Sequence, residues 1–461
     1  MVVQHNLRAM NSNRMLGITQ GSLNKSTEKL SSGYKVNRAA DDAAGLSISE
    51  KMRKQIRGLS QASLNAEDGI SAVQTAEGAL TEVHDMLQRM NELAVKAANG
   101  TNSTSDRQTI QDEVDQLLTE IDRVAETTKF NELYTLKGDE DKVTRYLSAH
   151  DAGIEGTLTQ GATNATFSMD QLKFGDTIMI AGREYHISGT ADQQGEIITN
   201  SVQIGQQVTI DGIMYTCTAT VSNADKFELT KTDLIAKLNT SSLSIMSVNG
   251  RTYYGAGLSP EDRTVVSSLG AYALITKELT LASSIGADGA TQASVNAGVD
   301  GQTLDHPSFE GKWVFTIDKG QVEVREDIDF SLHVGADADM TNKIAVKIGA
   351  LDTKGLGIQG LNVKDPTGAA ATYAIDSIAD AVARISAQRS LLGAVQNRLE
   401  HTINNLDNVV ENTTAAESQI RDTDMATEMV KYSNNNVLAQ AGQSMLAQSN
   451  QANQGVLSLL G

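Results

Sequence analysis

The chain predicts a fold that is mainly α with a β-rich insert. Long antiparallel helices pair the N- and C-terminal segments as a coiled-coil rod, and an outer β module fills the middle. Three observations predict it. From Met52 to Ala97, small or apolar residues recur in an unbroken 3-4-3-4 rhythm: Met52, Ile56, Leu59, Ser63, Ala66, Ile70, Val73, Ala76, Leu80, Val83, Leu87, Met90, Ala94 and Ala97, which is a coiled-coil seam. A matching seam runs near the C-terminus. All three prolines, Pro260, Pro307 and Pro366, sit between the two, so both ends are free to be helical.

In order along the chain, Leu16, Leu23 and Leu30 repeat every seven residues and Gly33 follows them, in the manner of a glycine closing a helix. Asp41 and Asp42 open the long seam helix, where carboxylates suit the exposed N–H groups. That helix is about 70 Å long at ~1.5 Å per residue, more than a compact domain needs. A polar break, Asn99 to Ser105, follows, and Ser105 with Gln108 has the spacing of a capping box. The next stripe is Ile110, Val114, Leu117, Ile121 and Val124. At the far end, Ile375, Ile378, Val382 and Ile385 begin a seam that Leu392, Val395, Leu399, Ile403, Leu406 and Val410 continue, with the slight phase shift of a stutter. Leu438, Met445, Ala452 and Leu459 then mirror the leucines of the first segment. Head and tail are expected to pair as helices.

Between about Asp141 and Ile328 the pattern changes to alternating β-branched residues with an internal repeat. Ile178, Ile180, Ala181, Gly182 and Tyr185 recur as Val208, Ile210, Asp211, Gly212 and Tyr215, and as Met246, Val248, Asn249, Gly250 and Tyr253. Each copy reads as a hairpin, and the Asp-Gly and Asn-Gly pairs supply the positive φ angles a tight turn needs. A further zone, Phe330 to Val363, holds alternating runs at Phe330–Val334 and Ile344–Ile348, expected to form a hairpin attached to the helices.

Composition narrows the function classes. At 461 residues the chain has material for about three domains. Its formal net charge of -19 repels a phosphate backbone, and no offsetting Lys/Arg cluster is expected, so nucleic acid is excluded as a partner. Cys217 is the single cysteine, which rules out an intrachain disulfide and a Cys-rich zinc site. No apolar run approaches the length of a membrane span, and Val2 and Val3 lead into polar residues and not a signal-peptide core. Export, if it occurs, is expected to use a route that reads no cleaved signal.

Residues that resemble chemistry fail on context. Gly355, Gly357 and Gly360 have G-x-G-x-x-G spacing, but Asn362 and Pro366 stand where a dinucleotide site needs a helix. The pairs Asp41–Asp42 and Asp422–Asp424 lie one or two residues apart and do not share a helical face, which favours capping over acid–base catalysis. The seven histidines contain no zinc motif. Cys217 has no evident base and reads as a small hydrophobe on a strand. Met10, Met15, Met425, Met429 and Met445 read as soft fillers of helix interfaces. No catalytic residue, metal or cofactor is expected.

The terminal segments carry a resemblance. Leu30-Ser31-Ser32-Gly33, Asp41-Asp42-Ala43-Ala44-Gly45-Leu46, Asn65 to Ile70, Thr75 to Leu80, Leu87 to Ala94, Glu417 to Ala426 and Ala452 to Leu460 together resemble bacterial flagellin. The likeness covers about the first 135 and last 130 residues. The insert resembles only the small repeated hairpin modules found inside some flagellins.

The resemblance implies a subunit of the flagellar filament that polymerises with itself and serves motility. It assigns 1–44 and 418–461 to an inner filament-core domain, 45–140 and 329–417 to a helical rod, and 141–328 to a variable outer domain. It also implies export unfolded through the flagellar type III channel, with an export chaperone on Gln419 to Leu460. Filament cap and hook-junction proteins are the other implied partners. Arg89, Leu93 and Glu113 match positions at which the vertebrate Toll-like receptor recognises flagellins. At Asn91 strongly recognised relatives carry a basic residue, and at Gly461 many carry arginine. Poor in large apolar groups, residues 1 to about 40 and 420 to 461 are expected to be mobile in the monomer and to order between subunits. Two rival readings are a hook–filament junction protein, and an insert that binds carbohydrate as an adhesin.

Overall fold

The computed structural model describes residues 6–220, 223, 226–240, 245–255, 264–296 and 312–460, with the side chains of 191, 240, 453, 454 and 456–460 left outside. Val2, Val3, Pro260, Pro307, Gly461 and the Leu459 side chain therefore lie outside the described residues. The chain opens with helices α1 (Leu7–Ser32), α2 (Ala43–Ala98) and α3 (Thr104–Thr127). Next come a short hairpin, β1 (Lys129–Phe130) and β2 (Leu133–Tyr134), and then β3 (Lys142–Tyr146), β4 (Thr157–Gln160), β5 (Asn164–Asp170), β6 (Thr177–Ile180) and β7 (Arg183–Ser188). Helix α4 (Ala191–Ser201), β8 (Gln207–Ile210), β9 (Ile213–Thr218), β10 (Glu228–Thr230) and α5 (Lys231–Thr240) follow. After β11 (Ile245–Val248), β12 (Arg251–Tyr254), β13 (Val265–Ser267) and α6 (Ser268–Ser283) come β14 (Ser294–Asn296), β15 (Lys312–Asp318) and β16 (Gln321–Arg325). The hairpin β17 (Ile328–His333) and β18 (Lys343–Ile348) leads to the short α7 (Thr353–Leu356), then α8 (Ala369–Arg421) and α9 (Met425–Leu460).

Helix ends follow local chemistry. Gly33, at φ 78°, closes α1 by donating to the Lys29 carbonyl, and the Asp42 carboxylate caps α2 by accepting from the Gly45 amide at 2.9 Å. The capping box of α3 uses Ser103 and Asp106, two residues before the expected Ser105 and Gln108: Asp106 N–H donates to Ser103 Oγ, and Ser103 N–H to Asp106 Oδ2 at 3.0 Å. Ser103 is the last extended residue, at ψ 164°, and Asp106 supplies the reciprocal acceptor in place of the usual Glu or Gln.

The α2 seam is buried or half-buried at every position expected, from Met52 to Ala97. In α8 the fully buried positions Ala371, Ile378, Ile385, Leu392, Leu399 and Leu406 recur every seven residues without interruption. The expected stutter is absent. Ala374 and Ala381, not Ile375 and Val382, are the buried members between them, because small side chains let the neighbouring backbone come close.

The chain divides into two compact units. The first comprises residues up to Ser71 with Ser331–Val346 and Val395 onward, and the second comprises Ala72–Phe330 with Lys347–Ala394. In the first, Leu59 and Ala62 bury against Leu406, and Ala66 against Leu399, Val334 and Ile344. Gly58 admits this hairpin, since a Cβ there would lie 2.9 Å from the Ala336 methyl.

In the second unit, all three repeats form tight hairpins, β6–β7, β8–β9 and β11–β12. Their turns place Ala181, Asp211 and Asn249 at φ 50°, 48° and 53°, with Gly182, Gly212 and Gly250 at 76–80°, the conformations of a type I′ turn. Strands order as β10-β9-β8-β11-β12 in one sheet and β14-β15-β5-β4 in another. One core gathers Phe167, Phe315, Ile317, Trp313 and Tyr272, the last two rings stacked at 3.9 Å. A second core holds Cys217 among Val208, Tyr215, Leu234 and Met246. The cysteine is buried, as a packing residue on a strand should be. Helices α4, α5 and α6 were not visible in the repeat pattern.

Candidate assembly surface

In the first unit α1 and α9 run antiparallel. Asn6 Nδ2 donates to the Ser449 carbonyl at 3.3 Å at one end, and the Thr423 amide donates to the Gly33 carbonyl at 3.0 Å at the other. Their seam is narrow. On α1 it comprises Ala9, Ser12, Leu16, Thr19, Leu23, Ser26 and Leu30, all half-buried but for the buried Ser26, and Leu16 lies against Gly442 of α9. On α9 it comprises Glu428, Tyr432, Asn435, Ala439, Gly442, Leu446 and Ser449.

The expected α9 seam is displaced by one residue. Leu438 and Met445 are each 58% exposed and Ala452 is exposed, whereas Ala439 is buried. Both phases share the heptad period, and packing chooses between them. Leu16 approaches within 3.3 Å of where a Cβ on Gly442 would stand, so the large side chains of α1 require small ones opposite.

Beyond the seam, Leu7, Met10, Met15 and Ile18 of α1 are exposed, as are Met425, Met429, Val430, Val437, Leu438 and Met445 of α9. The five methionines expected to fill helix interfaces, Met10, Met15, Met425, Met429 and Met445, are all among these exposed residues, so within the chain they fill none. Exposed apolar side chains in such number mark a surface made to be covered.

Two polar side chains, Glu428 and Arg421, anchor this unit. The Glu428 side chain is buried beside Lys431 at 3.3 Å. Burial works against its charge, yet hydrogen bonds from Ser26 and Lys431 hold the carboxyl below its ordinary value. The Arg421 guanidinium lies 4.8 Å from the centre of the Tyr34 ring and pairs with Glu50 at 2.8 Å.

Basic residues concentrate where the sequence reading expected no cluster. Ten Lys and Arg stand against four Asp and Glu between Asn6 and Leu59, with Lys51, Arg53, Lys54 and Arg57 within two turns of α2. The strongly negative total had hidden them.

In the second unit Arg89 reaches Glu113 at 2.9 Å and Glu92 at 3.0 Å, and its proton is held more tightly than usual, chiefly by the hydrogen bond to Glu113. Leu93 lies one turn along the helix but is 3% exposed. It belongs to the packed interior of the helices, whereas Arg89 and Glu113 face outward.

The remaining motifs resolve as structure. Asp42 and Asp424 cap α2 and α9, the latter accepting from the Ala426 amide at 3.0 Å. Gly355 sits inside α7, Gly357 ends it at φ 78°, and Gly360 turns the chain at φ 68°. Among the described residues no group of His, Cys, Asp and Glu is arranged to hold a metal ion, and no helix is long and apolar enough to cross a membrane.

Residues 3–141 match the family described as the bacterial flagellin N-terminal helical region, and residues 375–460 match the bacterial flagellin C-terminal helical region. The flagellin of Clostridium tyrobutyricum is 38% identical across 98% of this chain and all of its own length. The flagellins of Bacillus subtilis and Halalkalibacterium halodurans are 35% and 34% identical, each over the whole of both chains. The alignments run through the insert as well as the ends, and on that footing this chain belongs to the bacterial flagellin family.

Proposed function

We propose that this chain is the flagellar filament subunit of its cell, polymerising with copies of itself to serve motility. The observation that carries the reading is the exposure of large apolar side chains on α1 and α9 outside their own seam. Such a pair is poorly buried alone and gains its burial between subunits. On this reading 1–44 and 418–461 form the inner filament core, 45–140 and 329–417 the helical wall, and 141–328 the outer module. Identity extending over the whole of three flagellins supports the filament subunit over a hook–filament junction protein.

Export unfolded through the type III channel belongs to the same proposal, with a chaperone covering Gln419 to Leu460 until release. Contacts with the filament cap and hook-junction proteins are its further partners. Arg89 and Glu113 are the candidates for contact with the Toll-like receptor, with Leu93 supporting the helix beneath. Purified chain lacking residues 1–32 or 425–461 should remain soluble under conditions in which the full chain forms filaments visible by electron microscopy. Filaments from either truncated chain would overturn the reading.

A further inference from the structure

The first unit carries two faces of opposite charge. Lys51, Lys54 and Arg57 are exposed on α2, and the one carboxylate among them, Glu50, a turn before Lys54, is already neutralised by Arg53 and Arg421. Lys54 lies two residues from each of the seam positions Met52 and Ile56, which places it on the side turned away from the seam. Leu64, also exposed, continues this side one heptad beyond Arg57. On α8, Glu400, Asp407 and Glu411 are exposed and each directly follows a seam residue, Leu399, Leu406 and Val410. They therefore line one flank of that helix, about 100° round from its buried edge. Among the described residues none of these six forms an ion pair, whereas the neighbouring Arg53 and Arg421 both pair with Glu50.

We propose that the basic side of α2 in one copy docks on the acidic flank of α8 in a second copy. The proposal rests on the self-polymerising reading and adds which surfaces meet. A face with a net charge of one sign repels its own equivalent across a two-fold axis, so a closed isologous dimer through either face is disfavoured. Contact between unlike faces is heterologous, and a heterologous contact that does not close into a ring propagates as a helix. Charge thus selects an open thread over a closed dimer. Complementary faces also steer approaching subunits into register.

Two variants test this. In the first, Lys51→Glu, Lys54→Glu and Arg57→Glu make both faces acidic. In the second, Glu400→Lys and Glu411→Lys make the α8 flank basic, with Asp407 retained because it accepts from Ser63 Oγ at 3.3 Å. Circular dichroism should match the wild type, since every altered side chain is exposed. If the first variant loses helix, the neutral set Lys51→Gln, Lys54→Gln and Arg57→Gln replaces it. The critical concentration for seeded polymerisation should rise roughly tenfold or more for each variant alone. An equimolar mixture should return to near the wild-type value, because acidic α2 faces then meet basic α8 flanks. Variants that polymerise like the wild type, or a mixture no better than its components, would overturn the proposal while leaving self-assembly intact. Loss of retention on immobilised duplex DNA with polymerisation unchanged would assign the basic face to a polyanion instead. Failure of the wild type itself to polymerise would remove the reading beneath the proposal.

Discussion

Arg107 donates its Nε proton to the Ala97 carbonyl at 2.9 Å, across the break between α2 and α3. The same guanidinium bonds the Asn99 carbonyl at 3.1 Å and the Pro366 carbonyl at 2.7 Å, and the residue is 3% exposed. One side chain thus satisfies the end of α2 and fastens the segment that enters α8. Arg107→Ala strands three carbonyls and should cost about 2–4 kcal/mol, read as a lower midpoint in urea unfolding of the monomer. Arg107→Lys should recover only part, because an ammonium cannot reach three carbonyls in the geometry of the planar fork.

Adjacent leucines on α8 test the phase of its seam. Leu392 is 1% exposed and Leu391 is 60% exposed. Leu392→Ala should destabilise by about 2–5 kcal/mol. Leu391→Ala should stay within about 0.5 kcal/mol. Equal effects in denaturant titrations would contradict the register described.

The pairing of α1 with α9 should weaken in acid. The carboxyl of Glu428 has its folded value lowered from 4.5. A lowered value means that the ionised form is favoured by folding, so its contribution is complete above the unfolded value and fades as pH falls through the folded one. Between neutral pH and about 5 the contact should be constant, and below the ordinary carboxylate range it should fade. Hydrogen exchange of α1 amides near Ser26 followed against pH would show this. Glu428→Gln should flatten the curve.

The first and last helices should exchange quickly in dilute monomer. Their seam contains Ser12, Thr19, Asn435, Gly442 and Ser449, and most of its members are only half-buried. Little apolar area offsets the entropy of ordering two such helices. Amides of residues 7–32 and 425–460 should gain strong protection on polymerisation. Strong protection already present in the monomer would count against the proposed order–disorder transition.

Much of this architecture was legible because period is a property of sequence. The α2 seam, the Gly33 stop and the Asp211-Gly212 and Asn249-Gly250 turns each follow from residues whose chemistry allows few alternatives, whereas Ala181 takes positive φ only because the repeat imposes the same hairpin. Phase was harder to read. Leu438 and Ala439 both sit on heptad columns, and the choice falls to the helix opposite, whose leucines need small partners. The same preference for small residues hid Ala374 and Ala381 behind the bulkier Ile375 and Val382. The pairing of distant strands was not legible: β5 meets β15 through Phe167 opposite Phe315, and no local pattern links strands so far apart in the chain. The basic stretch on α2 was missed because a whole-chain charge averages over surfaces that never touch.

Cys217 is the chain's one sulfhydryl, enclosed in the core against the five-stranded sheet. Alkylating dyes added to the folded material will therefore find almost no background target. A cysteine introduced at exposed Ile213 or Leu64 becomes a unique handle, so fluorophores or spin labels can report separately on the five-stranded sheet and on α2 without first engineering the native sulfur away.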